Sequence, residues 1–161
     1  MTRKNVPWMP SPNICEFIPS NPLNVELVTS CFVFAFHEEK LLIIQHITRG
    51  LEVPGGHRES GESIEEAALR ELDEEGAVTL KNLRTVGHFK LSLLAEKPEG
   101  YKYPYPESAQ AFFTADVDKI KDFTPNIDSL DRFFVTKEEA LTLEWIKRNI
   151  TVYENVLKLR S

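Results

Sequence analysis

The segment Gly56–Val78, GHRESGESIEEAALRELDEEGAV, concentrates acidic side chains at spacings that suit metal chemistry. Glu71, Glu74 and Glu75 stand at i, i+3 and i+4, so on a helix they share one face. Ile64, Ala68 and Leu72 form the neighbouring apolar stripe, the natural core face of that helix. Like charges at this spacing repel by a few tenths of a kcal/mol, and a purely structural helix gains nothing from them. A hard divalent cation removes the repulsion, because Mg²⁺ takes carboxylate oxygens together with waters and phosphate oxygens. A solvated acidic helix face is the plainer reading of the glutamates alone. It leaves Glu62 and the preceding Pro54-Gly55-Gly56 turn without a purpose.

The elements that must hold these residues are legible around them. Ser63 and Glu66 have the S-x-x-E spacing of a capping box, which starts a helix at Ile64 that should fray near Gly76. Leu41–Gln45 and Leu51-Glu52-Val53 read as strands before it. Pro54-Gly55-Gly56 is expected to end the second, since proline lacks a donor and glycine adopts backbone angles closed to other residues. Val25–Phe36 alternates Phe32, Phe34 and Phe36, a strong strand pattern. Glu38-Glu39-Lys40 reads as the hairpin turn into Leu41–His46. Further strands are expected at Val86–Leu94, Ala109–Val117 and Arg132–Val135. Thr136 and Glu139 open a helix running through Trp145, and Ile150–Leu159 reads as a final helix. Residues 1–24 carry Pro7, Pro10, Pro12, Pro19 and Pro22 and read as an extended or irregular arm packed along a partner or along a single domain of residues 25–161. Strands mixed with two or three helices indicate an α/β or α+β fold.

The whole pattern runs Gly56, five residues, Glu62, seven residues, then Arg70-Glu71-Leu72-Asp73-Glu74-Glu75. It resembles the signature of the Nudix hydrolases, G-x5-E-x7-R-E-U-x-E-E-x-G-U, with U an aliphatic residue. One position departs: the last glycine of the signature falls on Ala77, and Gly76 stands one place early. The glycine and charged positions would coincide by chance in this chain with a probability on the order of 10⁻⁵. The resemblance implies an α/β/α sandwich around a mixed sheet, with the proline-rich arm and the final helix added. It implies hydrolysis of a nucleoside diphosphate linked to another group, with Mg²⁺ or Mn²⁺. By the same resemblance Glu71, Glu74 and Glu75 are metal ligands, and Gly55 offers its carbonyl to the metal. Arg70 and Glu62 orient the glutamates, and Glu71 is a candidate base for the attacking water. A further acid from a later loop often joins such sites; Glu107, Asp128 and Asp131 are the candidates.

Substrate selection is less legible. Arg49, Arg58 and His57 flank the glycine turn and are candidates for phosphate contacts, arginine with its planar fork of donors. Tyr101, Tyr103 and Tyr105 sit in a stiff proline-rich loop, where Tyr103 is a candidate to stack on a base. The expected substrate is a nucleoside triphosphate, including an oxidised purine such as 8-oxo-dGTP, cleaved to monophosphate and pyrophosphate. ADP-ribose, a dinucleotide polyphosphate or an RNA 5′ end are the alternatives. A non-catalytic nucleotide sensor would be expected to show an eroded acidic box, and here its acids are all present. The net charge of −6 disfavours a protein that grips duplex nucleic acid. The 2 cysteines, Cys15 and Cys31, form no metal-binding pair and are read as free thiols of a reducing, cytoplasmic compartment. Met1–Pro12 has no apolar leader core, and no run approaches a membrane span. The arm and the final helix are candidate dimer surfaces, though nothing in them requires a homodimer.

Overall fold

The computed structural model describes residues 1–22 and 24–161. Its core is a nine-stranded mixed sheet in the order β1-β2-β7-β8-β3-β4-β5, with β6 added to β3 and β9 to β4. The strands are β1 (Thr2–Lys4), β2 (Asn13–Ile18), β3 (Val28–His37), β4 (Lys40–His46), β5 (Gly50–Glu52), β6 (Gly55–His57), β7 (Val78–Leu93), β8 (Glu107–Ile120) and β9 (Ser129–Val135). The helices are α1 (Ile64–Gly76), α2 (Lys137–Ala140), α3 (Glu144–Arg148) and α4 (Ile150–Arg160). Only β3 and β8 run parallel; every other pair is antiparallel.

The alternation of β3 sorts the core into two layers. Cys31, Val33 and Ala35 face α1, packing with Ala67, Ala68 and Leu72. Phe34 and Phe36 face the other way, against Ile146, Val152, Tyr153 and Val156 of α3 and α4. Helices on both faces of a mixed sheet make the expected α/β/α sandwich. Arg160 fastens the end of α4: its guanidinium lies 4.1 Å over the Phe36 ring and 2.8 Å from Asp116.

One opening in the sheet positions the site. β3 and β4 pair only through Phe36↔Leu41 and His37↔Lys40 and then part. β6 takes the freed edge of β3 at Ser30, Cys31 and Phe32. β5 ends before Pro54-Gly55-Gly56, as expected, and Gly55 and Gly56 then open the inserted strand. Neither glycine is there for an unusual backbone angle. A Cβ on Gly55 would sit 2.2 Å from the Cys31 carbonyl, and one on Gly56 would sit 2.4 Å from a Glu71 carboxylate oxygen. Close approach is what demands glycine here.

The proline-rich segment takes extended form in part and joins the sheet. It contributes β1 and β2, and Asn13–Ile18 pairs with His88–Leu93 of β7. Asn13 holds its loop by accepting from Val6 N–H and donating to the carbonyls of Val6, Met9 and Pro10. Leu23 of the same segment lies outside the described residues. β7, β8 and β9 all run longer than their apolar cores suggested, because bulges and edge positions carry polar residues. The helix expected from Thr136 to Trp145 is broken into α2 and α3. Its capping box is complete, but the turn at Leu141–Leu143 interrupts it. At α1 only half of the expected box forms: Ser63 accepts from the Glu66 amide at 3.0 Å.

Candidate active site

α1 carries the acidic residues, and its buried side decides what each one does. Glu71 and Glu75 lie one turn apart on the sheet-facing side and are 8% and 5% exposed. Burial holds the Glu71 carboxyl above its usual range, opposed by the bond from Arg70. Burial pushes Glu75 further, up to about 8, and the charges of Glu71, Glu52 and Asp128 add to it. Gly55 N–H donates to Glu75 at 3.1 Å, the one direct link between α1 and the inserted strand that works the other way. Glu74 points outward and is half exposed.

Arg70 organises the group. Its Nε and Nη2 grip both oxygens of Glu62 at 2.7 and 3.0 Å. Its Nη1 reaches Glu71 at 3.0 Å and Glu74 at 3.2 Å, and Nη2 also donates to the His57 carbonyl at 3.0 Å. The paired guanidinium lowers the Glu62 carboxyl, and the Glu59 amide, 2.8 Å from Glu62, helps. Glu62, Arg70 and Glu71 are thus assembled as one unit. Glu75 stands beside it on Gly55. No group of three or more acidic, histidine or cysteine side chains among the described residues converges on one point.

The C-terminus of α1 is held by the segment before and within β9. Asn126 donates to the Glu74 carbonyl at 2.9 Å, Ser129 to that of Glu75 at 2.8 Å, and Arg132 to that of Gly76 at 2.9 Å. Ala77 then turns the chain in the left-handed conformation, at φ 52° and ψ 46°. Ala77, at the signature's glycine position, thus takes a conformation that favours glycine. This same segment carries Asp128, whose negative charge acts on Glu71, Glu75 and Arg49. Of the three candidate loop acids it alone sits with the cluster. Glu107 pairs with Lys90 at 3.3 Å on the sheet surface, and Asp131 lies on β9, where it takes the Arg132 amide at 2.8 Å.

Sequence reasoning missed Glu52. The alternation Leu51-Glu52-Val53 put the apolar residues inside, yet Leu51 is exposed and Glu52 is 2% exposed. Arg49 explains this, since its Nε lies 3.1 Å from both Glu52 oxygens and its Nη2 lies 2.7 Å from one. The only signal was an arginine three places before an acid at the mouth of the glycine turn. Arg49, a candidate for phosphate contacts, is bonded to Glu52, which raises its affinity for its proton, and it also lines the cleft beside Gly55.

Beside Gly55 and Gly56 opens a cleft of about 540 Å³. Its floor is the face of the sheet opposite α1: Ser30, Phe32, Gln110, Phe112 and Phe89. Trp145 and Asn149 close one side, Tyr101 and Tyr103 another, and Arg3 and Trp8 of the N-terminal segment a third. Tyr103 stacks on His57 with ring centres 5.8 Å apart. Arg58 lies outside this cleft, in a shallow groove with His57, Glu62 and Lys102. An acidic, buried cluster thus borders an aromatic cleft through two glycines.

The NUDIX domain family model matches residues 26–156, most of the chain. The chain belongs to the Nudix family. The Nudix domain is 46% identical over 52 residues to the putative 8-oxo-dGTP diphosphatase YtkD of Bacillus subtilis, a match spanning 32% of this chain and 33% of that protein. It is 27% identical over 124 residues to the NAD-capped RNA hydrolase NudC of Klebsiella pneumoniae, spanning 74% of this chain and 39% of that one. The Nudix fold itself is shared with the crystal structure of the Bacillus subtilis pyrophosphohydrolase BsRppH, with a TM-score of 0.74, 21% identity, and coverage of 99% of this chain and 96% of that one. No described helix is long and apolar enough to cross a membrane.

Proposed function

We propose that this Nudix domain is a pyrophosphohydrolase that uses Mg²⁺ or Mn²⁺ to cleave a nucleoside diphosphate-linked substrate, best a nucleoside triphosphate, to the monophosphate and pyrophosphate. The observation that carries the reading is the abutment of the two features above. Buried carboxylates lie on one side of Gly55–Gly56, and a cleft of nucleotide-base size lies on the other. The likeness to YtkD over 52 residues favours a purine triphosphate, oxidised purines included.

The residues fit a hard divalent cation. Two buried glutamates, Glu71 and Glu75, are held above their usual range with Arg70 the one cation bonded to their cluster, so their negative charge is under-compensated. Glu71, Glu74 and Glu75 would hold the ion with the Gly55 carbonyl, and Asp128 would add its charge. When bound, the ion supplies a more acidic water and neutralises phosphate oxygens as the transition state forms. Arg70 fixes the Glu71 carboxylate between helix and turn, which keeps one Glu71 oxygen oriented while the other takes the proton of the attacking water. Glu62, bonded to Nε and Nη2 of Arg70 and to the Glu59 amide, stops Arg70 from swinging out. Aromatic side chains of the cleft hold the base, so the phosphate chain runs past Gly55 and Gly56 toward the acids. The buried, unreactive thiols suit a reducing compartment such as the cytoplasm.

The test is pyrophosphate and phosphate release with Mg²⁺ across 8-oxo-dGTP, dGTP, dATP, ADP-ribose and a diadenosine polyphosphate. Glu71→Gln should lose about 100-fold or more in kcat while keeping its fold, as expected for removal of a base or ligand. Turnover of triphosphates that survives in Glu71→Gln would overturn the assignment of Glu71. Nucleotide binding without turnover of any compound would make the domain a sensor.

A further inference from the structure

The cleft has a wall that the family match does not include. Residues 26–156 are matched, yet Arg3, Trp8, Met9 and Pro10 line the cleft from outside that range. β1 and the Asn13-braced loop bring them there by pairing Arg3 with Cys15 on β2. Trp8 is 47% exposed, a large aromatic left open to water. It is nonetheless fixed in place. The Arg3 guanidinium lies 5.2 Å from the centre of the Trp8 ring and 5.2 Å from the centre of Phe89 on the floor, a stack built outward from the sheet. Arg3 is itself tied by a bond to the Arg148 carbonyl at 3.2 Å. An exposed indole braced by a cation over a cleft is a ready stacking surface for a flat heterocycle.

The floor carries an independent sign of a ligand. Ser30 Oγ is buried and has no hydrogen-bond partner, although Ser30 is 4% exposed. Ser30 lies on the cleft side of β3, in line with Phe32 and Phe34, and pairs in register with Gln110 of β8. A buried hydroxyl without a partner is costly unless something else completes it. Arg3 Nε, the other such atom among the described residues, lies beside the Cys15 thiol and needs no ligand to explain it. Ser30 and Gln110 together present a hydroxyl and an amide, able to donate and to accept, in the middle of an otherwise aromatic floor. That complements the donor and acceptor edge of a nucleobase.

We propose that the N-terminal segment completes the nucleobase site of this domain, Trp8 stacking on the base and Ser30 with Gln110 reading its edge. The inference rests on the pyrophosphohydrolase reading for the identity of the ligand as a nucleotide. It does not rest on catalysis, and its test is separable from that reading.

The chain has 2 tryptophans, and both Trp8 and Trp145 line the cleft. Intrinsic fluorescence is therefore a direct reporter of base binding. The titrants are GMP, AMP, UMP, ribose 5-phosphate and pyrophosphate, in EDTA so that no metal chemistry takes part. The expected result is quenching of at least a third of the emission by one or more nucleoside monophosphates and none by ribose 5-phosphate or pyrophosphate. In Trp8→Ala the quenching falls by half or more, and Trp8→Phe restores affinity. In steady-state hydrolysis Trp8→Ala raises KM about tenfold with kcat within twofold. Ser30→Ala raises KM and narrows the preference among bases without lowering Tm, because it deletes an unsatisfied hydroxyl; a merely structural serine would lower Tm instead. Quenching without any turnover would leave the base site standing and remove the enzyme. Turnover with KM and base preference unchanged in both Trp8→Ala and Ser30→Ala, or equal quenching by pyrophosphate, would overturn the proposal.

Discussion

At Gly56 a single hydrogen atom stands where any other residue would press on the Glu71 carboxylate. A Cβ there would meet both oxygens of Glu71, the flexible end of a side chain, and not a rigid backbone atom. Gly56→Ala should therefore fold but displace the Glu71 carboxylate, lowering kcat by about tenfold or more, since misplacement by an ångström is that costly. Activity within twofold of wild type would show that Glu71 has room to yield. Gly55→Ala differs, because its Cβ would strike the Cys31 carbonyl, and the strand pairing itself would give way. Ala77 carries the opposite lesson. It holds a left-handed conformation that an alanine adopts at a cost of about 1 kcal/mol relative to glycine. Ala77→Gly should raise the free energy of unfolding in urea by up to roughly that amount, shifting the midpoint upward, and an unchanged midpoint would mean that the conformation is not strained here.

At the scale of elements, α1 is the part most plainly written in the sequence. Ser63 caps it, Ile64, Ala68 and Leu72 bury it, and Gly76 ends it, because caps and periodicity are local. β6 was not legible. Its extended conformation is imposed by the free edge of β3, which exists only because β4 departs after two pairs. The burial of Glu52 was illegible for the same reason: its partner Arg49 is near in sequence, but the strand's inward face is chosen by β4. The C-terminal helix gives a prediction at this scale. Asp116 is bonded by Asn82 and by Arg160, and both hold its carboxyl below the usual aspartate range. A depressed pKa means stability that is present above the unfolded value and lost as pH falls through the folded one. Asp116→Asn should thus lower Tm near neutral pH, and the difference from wild type should shrink below about pH 4, where the unfolded aspartate takes its proton. A gap that persists at pH 2.5 would show that the charge is not what Asp116 contributes.

For the molecule as a whole, the two faces of one sheet separate two tasks. The α1 face supplies carboxylates, and the α3 face supplies the cleft, and they meet where β3 and β4 part. Cys31 lies on the α1 face, paired in register with Gly56. Burial, reinforced by the charge of Glu71, pushes its thiol up to about 12, and burial raises Cys15 as well. With both thiols protonated and enclosed, the native protein should release no chromophore from an aromatic disulfide reagent at pH 8, and 2 thiols per chain should react after denaturation. A fast-reacting native thiol would mean that the sheet opens at β3 far more readily than its packing suggests.

What the sequence by itself determined is the chemistry of α1: which side chains carry charge, how they are spaced around the helix, and which family they mark. Those are properties of neighbours within a few turns, and helical geometry alone brings them together. The mixed α/β order was also readable, since apolar periodicity does not depend on partners. Only the tertiary structure decided that Glu71 and Glu75 are buried and under-compensated, that Asp128 joins them while Glu107 and Asp131 do not, and that Arg49 pairs with a buried Glu52. Only it turned a proline-rich arm into two strands and a wall of the cleft. Each of these depends on residues far apart in the chain meeting at one sheet opening, and burial and charge compensation exist only after that meeting.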